Sequence, residues 1–221
     1  MPRITLAVAA ALAAAANGFA SNADDFEVPW EQDNKNPLYQ FMNERTDIRM
    51  GATFVDMLVA ADDPRTPFFV AEDGDGDFTG SVIGSQNSSA SYLGDYVAAF
   101  DAPSVLMSYS ELKFIVAEAN FMLGNTADAQ AAFEAAVAAS VLKVTGSENS
   151  DWLDANINGV AVTLESIMTQ KYLAGLGTNQ AYADYRRVGL PAIPIHPDAL
   201  IPAIPTRFPY AQDEITYNGE N

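Results

Sequence analysis

The most regular hydrophobic pattern in this chain runs from Ser108 to Leu142. Ser108 followed by Glu111 has the spacing of a capping box, and Leu112, Ile115, Val116, Ala119, Met122 and Leu123 then recur at helical spacing until Gly124 stops the run. Asn125 with Asp128 opens a second helix, whose apolar stripe is Ala129, Ala132, Phe133, Ala136, Val137, Ser140 and Val141. Together they predict an antiparallel helical hairpin. Ala117, Ala129 and Ala136 stand where larger side chains would hold the axes apart, and Phe133 is expected to fill the space between them. With Gly124 at the turn, these positions match the helix pair of a tetratricopeptide repeat (TPR). A pair of this kind buries its apolar faces only against neighbouring elements.

Residues 1–20 contain an Ala-rich run from Ile4 to Ala16 that has two readings. Arg3 and the small residues near Ala20 suit a secretory signal peptide, whereas Asn17 and Gly18 suit the end of an internal helix. Ser21 to Asn36 is polar and acidic and reads as an extended segment pinned by Phe26, Val28 and Trp30. Trp30 is either an anchor into the core or a platform for a sugar ring. A short helix is expected around Leu38, Phe41 and Met42. Another runs from Thr53 to Ala60 with Phe54, Met57, Leu58 and Ala61 on one face, ended by Asp62, Asp63 and Pro64. Pro67 to Val70 reads as a short strand or extended contact.

Beyond the hairpin, helices are predicted within Ser147–Asn158, carrying Trp152 and Leu153, and over Thr163–Gly175, carrying Leu164, Ile167, Met168, Lys171 and Tyr172. A third, Asn179–Val188, carries Tyr182, Tyr185 and Arg186. From Pro191 onward, Pro194, Pro197, Pro202, Pro205 and Pro209 exclude regular helix and central strand. This predicts an extended tail held on the helical body by Ile193, Ile201, Ile204, Phe208 and Tyr210. The fold class is mainly α, with TPR-like helical hairpins, long irregular loops and a proline-rich extended C-terminal tail.

Composition narrows the chemistry. The chain has 221 residues and is 49% hydrophobic, which supports one domain with a substantial core. Asp and Glu number 29 against 11 Lys and Arg, and the net charge of −18 argues against nucleic acid or an anionic membrane surface as partner. No Cys and one His leave no disulfide framework, no thiolate metal site and little to hold zinc, so no cofactor is expected. Asp73, Asp75 and Asp77 alternate as in a calcium loop. A loop starting at Asp73 would need Gly and Glu where Phe78 and Gly84 stand, and one starting at Asp75 meets Gln86 in place of the bidentate Glu. A solvated acidic turn is expected instead. The Ser-, Asn- and Gly-rich stretch that follows brings Tyr92 and Tyr96 close to Asn87 and Asp95. Tyr92 and Tyr96 are the candidate carbohydrate-binding residues, since their rings suit stacking on a saccharide; the alternative is that they hold the loop down. No nucleophile elbow, phosphate loop or metal cluster is present, and no carboxylate pair can be placed at a glycosidase separation.

NPLYQF, RMGATFVDML followed by DDPRTP, LMSYSELKFIVAEA, ESIMTQKYLAGLGTNQAYADYRRVGLP and IPTRFPYAQDE, in this order, resemble the C-terminal part of the SusD/RagB family of outer-membrane nutrient-binding lipoproteins of Bacteroidetes-type bacteria. The resemblance covers residues 21–221, a C-terminal helical domain, with residues 1–20 an Ala-rich internal helix or signal-like segment. Family members usually carry a lipidated Cys after a signal and further hairpins ahead of this region. The chain is therefore expected to be a fragment or shortened member, with residues 1–20 at the position of an internal family helix. The resemblance implies non-catalytic binding of oligosaccharides or similar nutrients at the outer surface of the outer membrane, for delivery to a SusC-like TonB-dependent channel. It transfers no ligand residue by motif, and implies structural roles for Glu111, Lys171, Arg186, Arg187 and Arg207, with Arg186 and Arg187 pairing with carboxylates or helix ends. The alternative expectation is a TPR-like protein-interaction scaffold with no glycan ligand.

Overall fold

Ala-rich sequence with no interior glycine makes α1 (Pro2–Ala15), which Gly18 closes by donating its N–H to the Ala15 carbonyl at 3.1 Å. A computed structural model describes residues 2–196 and 198–219. After a 3₁₀ turn at Asn22–Asp24 come β1 (Phe26–Val28), α2 (Pro37–Glu44), α3 (Ala52–Ala60), the single turn α4 (Thr66–Phe69), α5 (Asp95–Ala98) and β2 (Ser104–Met107). The rest is α6 (Tyr109–Leu123), α7 (Thr126–Thr145), α8 (Ser150–Asn156), α9 (Leu164–Ala174), α10 (Gln180–Val188) and α11 (Gln212–Tyr217). The fold is mainly α. Its one sheet among the described residues is the antiparallel ribbon β1–β2, which pairs Phe26 with Met107 and Val28 with Ser104.

The α6–α7 hairpin is the centre of the molecule. Ser108 Oγ accepts the Glu111 N–H at 3.0 Å, and Gly124 ends α6 in the left-handed conformation at φ +78°. Asn125 heads α7 by position but caps it with no side-chain bond; its Nδ2 donates to Asn120 Oδ1 instead. Ala117, Ala129 and Ala136 are fully buried, and Ser110 Oγ reaches the Ala136 carbonyl at 2.8 Å, a bond that requires close axes. Phe133 fills the space, and Phe114 meets it edge-on with ring centroids 6.4 Å apart.

That partner corrects the expected stripe of α6: Phe114 is fully buried, while Met122 is half exposed. The cause is geometric. α6 packs not only on α7 but also on α1 and α9, so it buries more than one face and a single stripe does not describe it. Against Gly18 lies Leu112, so close that a Cβ there would come within 2.7 Å of it. Val8, Ala11, Leu12 and Ala15 of α1 are half-buried while Ala9, Ala10, Ala13 and Ala14 face outward.

Three further expectations change. Pro67 to Val70 is not extended, because Pro67 sits in the first turn of α4, where its missing N–H costs nothing; only Val70 bridges, antiparallel, to Leu93. The tail is held down only in part: Ile193 and Ile204 are half-buried, whereas Ile201, Phe208 and Tyr210 are 58%, 85% and 64% exposed. It also contains regular helix, α11, in the proline-free run after Pro209. Tyr182 Oη does tie the tail to α10, donating to the Pro205 carbonyl at 2.7 Å.

Buried charges join the layers. Arg65 and Asp63 are fully buried and paired at 2.6 Å, and Arg65 also donates to Ser140 of α7 and Gln170 of α9 at 2.9 and 2.8 Å. On the other side, Arg187 of α10 pairs with Glu118 of α6 and with Asp184, and Asp184 pairs with Lys171 of α9 at 2.8 Å. Bonding to Glu118 and then to Asp184 raises Arg187 above its ordinary value. Arg187 thus pairs as the resemblance implied, whereas Arg186 lies over the Tyr182 ring.

Glu111 lies beside this network. Burial raises its carboxyl above the usual range, with Lys171 opposing and Asp184 adding. A carboxyl raised on folding favours the native state only while protonated, so its contribution is present below the unfolded value and lost as pH climbs through the folded one. Glu111→Gln is therefore expected to raise the melting temperature at neutral pH, with the gain vanishing below about pH 4. An equal gain at both pH values in paired thermal melts would contradict this.

Candidate functional site

A polar groove forms where the chain from Thr46 to Arg49 meets the loop Ser81–Ser88. Backbone bonds position both walls: Ser81 N–H donates to the Met50 carbonyl at 2.8 Å, Ala52 N–H to the Ser81 carbonyl at 2.9 Å, and Met50 N–H to the Ser91 carbonyl at 2.9 Å. Gly80 makes the approach possible, since a Cβ there would lie 2.2 Å from the Ala52 Cα. The groove has a volume of about 730 Å³ and is lined by Asp47, Arg49, Ser81, Ser85, Gln86, Asn87 and Ser88 among others. Arg49 also lines a second, apolar groove of about 330 Å³ walled by Phe54, Ile83, Tyr172, Leu176 and Ile193. Convergent polar groups beside an apolar wall is the usual make-up of a small-ligand site.

Arg49 lies at the junction. Its guanidinium stacks on the Tyr92 ring, 3.6 Å from the centroid, and Nη1 donates to the Ala90 carbonyl at 2.8 Å. Tyr92 Oη in turn reaches the Thr46 carbonyl at 3.3 Å. Among the described residues Arg49 makes no ion pair, and its buried Nε has no acceptor. Asp47, the carboxylate in the same groove, is taken by Arg45 at 2.7 Å, whose bond holds it below the usual carboxylate range.

The two candidate tyrosines occupy different surroundings. Tyr92 supports Arg49 at the groove with Asn87 on its wall, whereas Tyr96 packs edge-on against Phe69 at 5.2 Å, beside the buried Phe54, Leu58 and Val70, where burial raises its phenol above the usual value. Tyr96 also borders an internal cavity with Ser110, Glu111, Lys143 and Lys171. That cavity measures about 30 Å³, room for one water; Tyr96 also lines a cleft of about 210 Å³ with Leu38, Val97 and Ser104. Trp30 is half-buried and donates Nε1–H to Ser104 Oγ at 3.0 Å, so it anchors the ribbon. In the acidic turn, Asp73 accepts the N–H groups of Asp75 and Asp77 and the Thr79 hydroxyl, which occupies its oxygens internally. Among the described residues no group of three or more His, Cys, Asp or Glu is placed to hold a metal ion.

Sequence reasoning missed Arg49. Its signal was an arginine three residues ahead of the start of α3 in a strongly acidic chain, with no carboxylate three or four residues away in sequence to pair it.

A family model described as starch-binding and associating with the outer membrane matches residues 4–211. The chain belongs to the SusD-like family. Solved structures agree in fold with this membership. A SusD homologue from Bacteroides fragilis superposes with a TM-score of 0.71 at 20% identity, over 91% of this chain and 54% of that one. A chitin-binding SusD homologue from Flavobacterium johnsoniae gives 0.70 at 23% identity, over 90% and 50%. A SusD-like protein of Bacteroidetes AC2a gives 0.67 at 19% identity, over 98% and 65%. The chain thus spans about half the length of the first two of these SusD-like proteins. No curated protein matches the sequence. Among the described residues no helix is long and apolar enough to cross a membrane.

Proposed function

We propose that this SusD-like chain binds oligosaccharides at the outer surface of the outer membrane and passes them uncut to a SusC-like TonB-dependent channel. The observation that carries the reading is the groove at Arg49, where side-chain hydroxyls and amides face a stacked Arg49–Tyr92 pair and continue into an apolar wall. Sugars ask for this combination, hydrogen bonds at their rims and flat apolar contact at their faces. Family membership and the chitin-binding relative support the ligand class. Of the two candidate tyrosines, the reading keeps Tyr92 as a groove residue acting through Arg49 and gives Tyr96 the role of supporting the interior.

Titration calorimetry of the full chain with malto- and chito-oligosaccharides tests this. Dissociation constants on the order of micromolar to millimolar, about 4–8 kcal/mol, are expected for so open a site. Tyr92→Ala is expected to weaken binding by about 1 kcal/mol, because the guanidinium loses its stacking surface. Absence of heat with every neutral and acidic oligosaccharide tried would defeat the proposal, as would cleavage of a bound oligosaccharide.

A further inference from the structure

The chemistry left open on Arg49 points to a particular kind of sugar. Of the five N–H donors of a guanidinium, one goes to the Ala90 carbonyl and one, on Nε, is enclosed without an acceptor. The remaining donors lie on Nη1 and Nη2, and among the described residues Nη2 meets no hydrogen-bond acceptor. Contact with the Tyr92 ring and the bond to Ala90 restrain the group, so its remaining donors are held with little freedom beside the groove that Arg49 lines. An ordered, in-plane pair of N–H groups is complementary to a carboxylate, which it grips with two parallel bonds.

The local charge agrees. Asp47 shares the groove but is neutralised by Arg45, so the lining leaves one uncompensated positive charge at Arg49. The net charge of −18 opposes an anion at long range, yet at physiological salt charges beyond about 8 Å are largely screened. Elsewhere among the described residues Arg65, Lys143, Lys171 and Arg187 each meet a carboxylate of the protein itself, while the half-buried Lys35 and Lys113 lie over tyrosine rings without one but leave no buried donor unpartnered. Arg49 is built differently: its partner is to come from outside.

We infer that the Arg49 groove selects oligosaccharides carrying a carboxylate, such as uronic-acid units, over their neutral counterparts. This rests on the proposed glycan-binding reading and specifies the substrate class for the same groove. The step is binding only, with no bond made or broken.

Short oligogalacturonates and their methyl esters are suitable probes, because esterification removes the charge and keeps the ring. The acid is expected to bind the full chain at least about tenfold more tightly than the ester, the scale of a charge-assisted bond. The preference is expected to shrink as salt is raised, and to disappear in Arg49→Gln, with Arg49→Lys retaining part of it. The ratio of acid to ester affinity is the readout, so a general loss of stability in a variant does not mimic the effect, and the wild-type ratio decides even if a variant does not fold. Equal binding of acid and ester by the wild type, or full preference kept in Arg49→Gln, would overturn the inference while leaving neutral-glycan binding intact. Failure to bind either probe overturns it as well, and the malto- and chito-oligosaccharide titrations then tell whether the broader reading falls with it.

Discussion

Arg65→Met is expected to destabilise the protein by about 3–5 kcal/mol, the range found when one partner of a buried ion pair is removed. Arg65 is fully enclosed with Asp63, and the variant leaves that carboxylate dehydrated with no opposite charge in reach. Two further bonds go with it, to Ser140 on α7 and Gln170 on α9, so the junction of α3 and α4 also loses its tie to the hairpin. Because whole domains are stable by only about 5–15 kcal/mol, such a loss would be visible in any urea or thermal melt. Adding Asp63→Asn to Arg65→Met is expected to recover part of it by removing the stranded charge. A single variant within about 1 kcal/mol of the wild type would mean that water reaches the pair and screens it as it does a surface ion pair.

Phe114→Ala and Phe133→Ala are each expected to cost about 3–5 kcal/mol, because both rings sit in the tightest part of the hairpin and leave a void that helices this close cannot collapse to fill. The two losses should not add. Each ring is the other's edge-on partner at 6.4 Å, so a double-mutant cycle should return a coupling of about 0.5–1.5 kcal/mol. Strict additivity would show that each packs independently. Urea titrations of the four proteins, fitted with a common slope, provide the measurement.

The hairpin was legible from spacing alone because Gly124, Ser108 and the small-residue positions act locally, through caps and close approach that a few neighbouring residues determine. Phe114 was not, because it takes α1, α7 and α9 together to bury more than one face of α6. The ribbon escaped for a different reason: three residues in β1 and four in β2 are too few to display a period of two. Asp63 was readable as a helix stop, but its pairing with Arg65 and their joint burial depend on Ser140 and Gln170, far along the chain. The tail was misjudged at its far end, because apolar residues among prolines suggest anchors: Ile193 and Ile204 are half-buried, but Phe208 and Tyr210 face outward.

The site follows the same division. A Ser-, Asn- and Gly-rich loop announces an irregular, hydrogen-bonding surface, and Asn87 and Tyr92 were visible in it as candidates. What decides the chemistry is the meeting of Arg49 with Ala90 and Tyr92, more than forty residues away, and periodicity carries no information at that range. Tyr96 shows the converse, since closeness to Tyr92 in sequence did not give it the same neighbours.

The anchoring of the two tryptophans has a practical sequel. Trp30 donates to Ser104 on the ribbon, and Trp152 donates from α8 to the Ala61 carbonyl at the end of α3, so the only two indoles in the chain stand at separate seams. Replacing either by phenylalanine leaves a single emitter whose fluorescence belongs to one seam. Loosening of the ribbon can then be followed optically and apart from the parting of α8 from α3, with no dye attached.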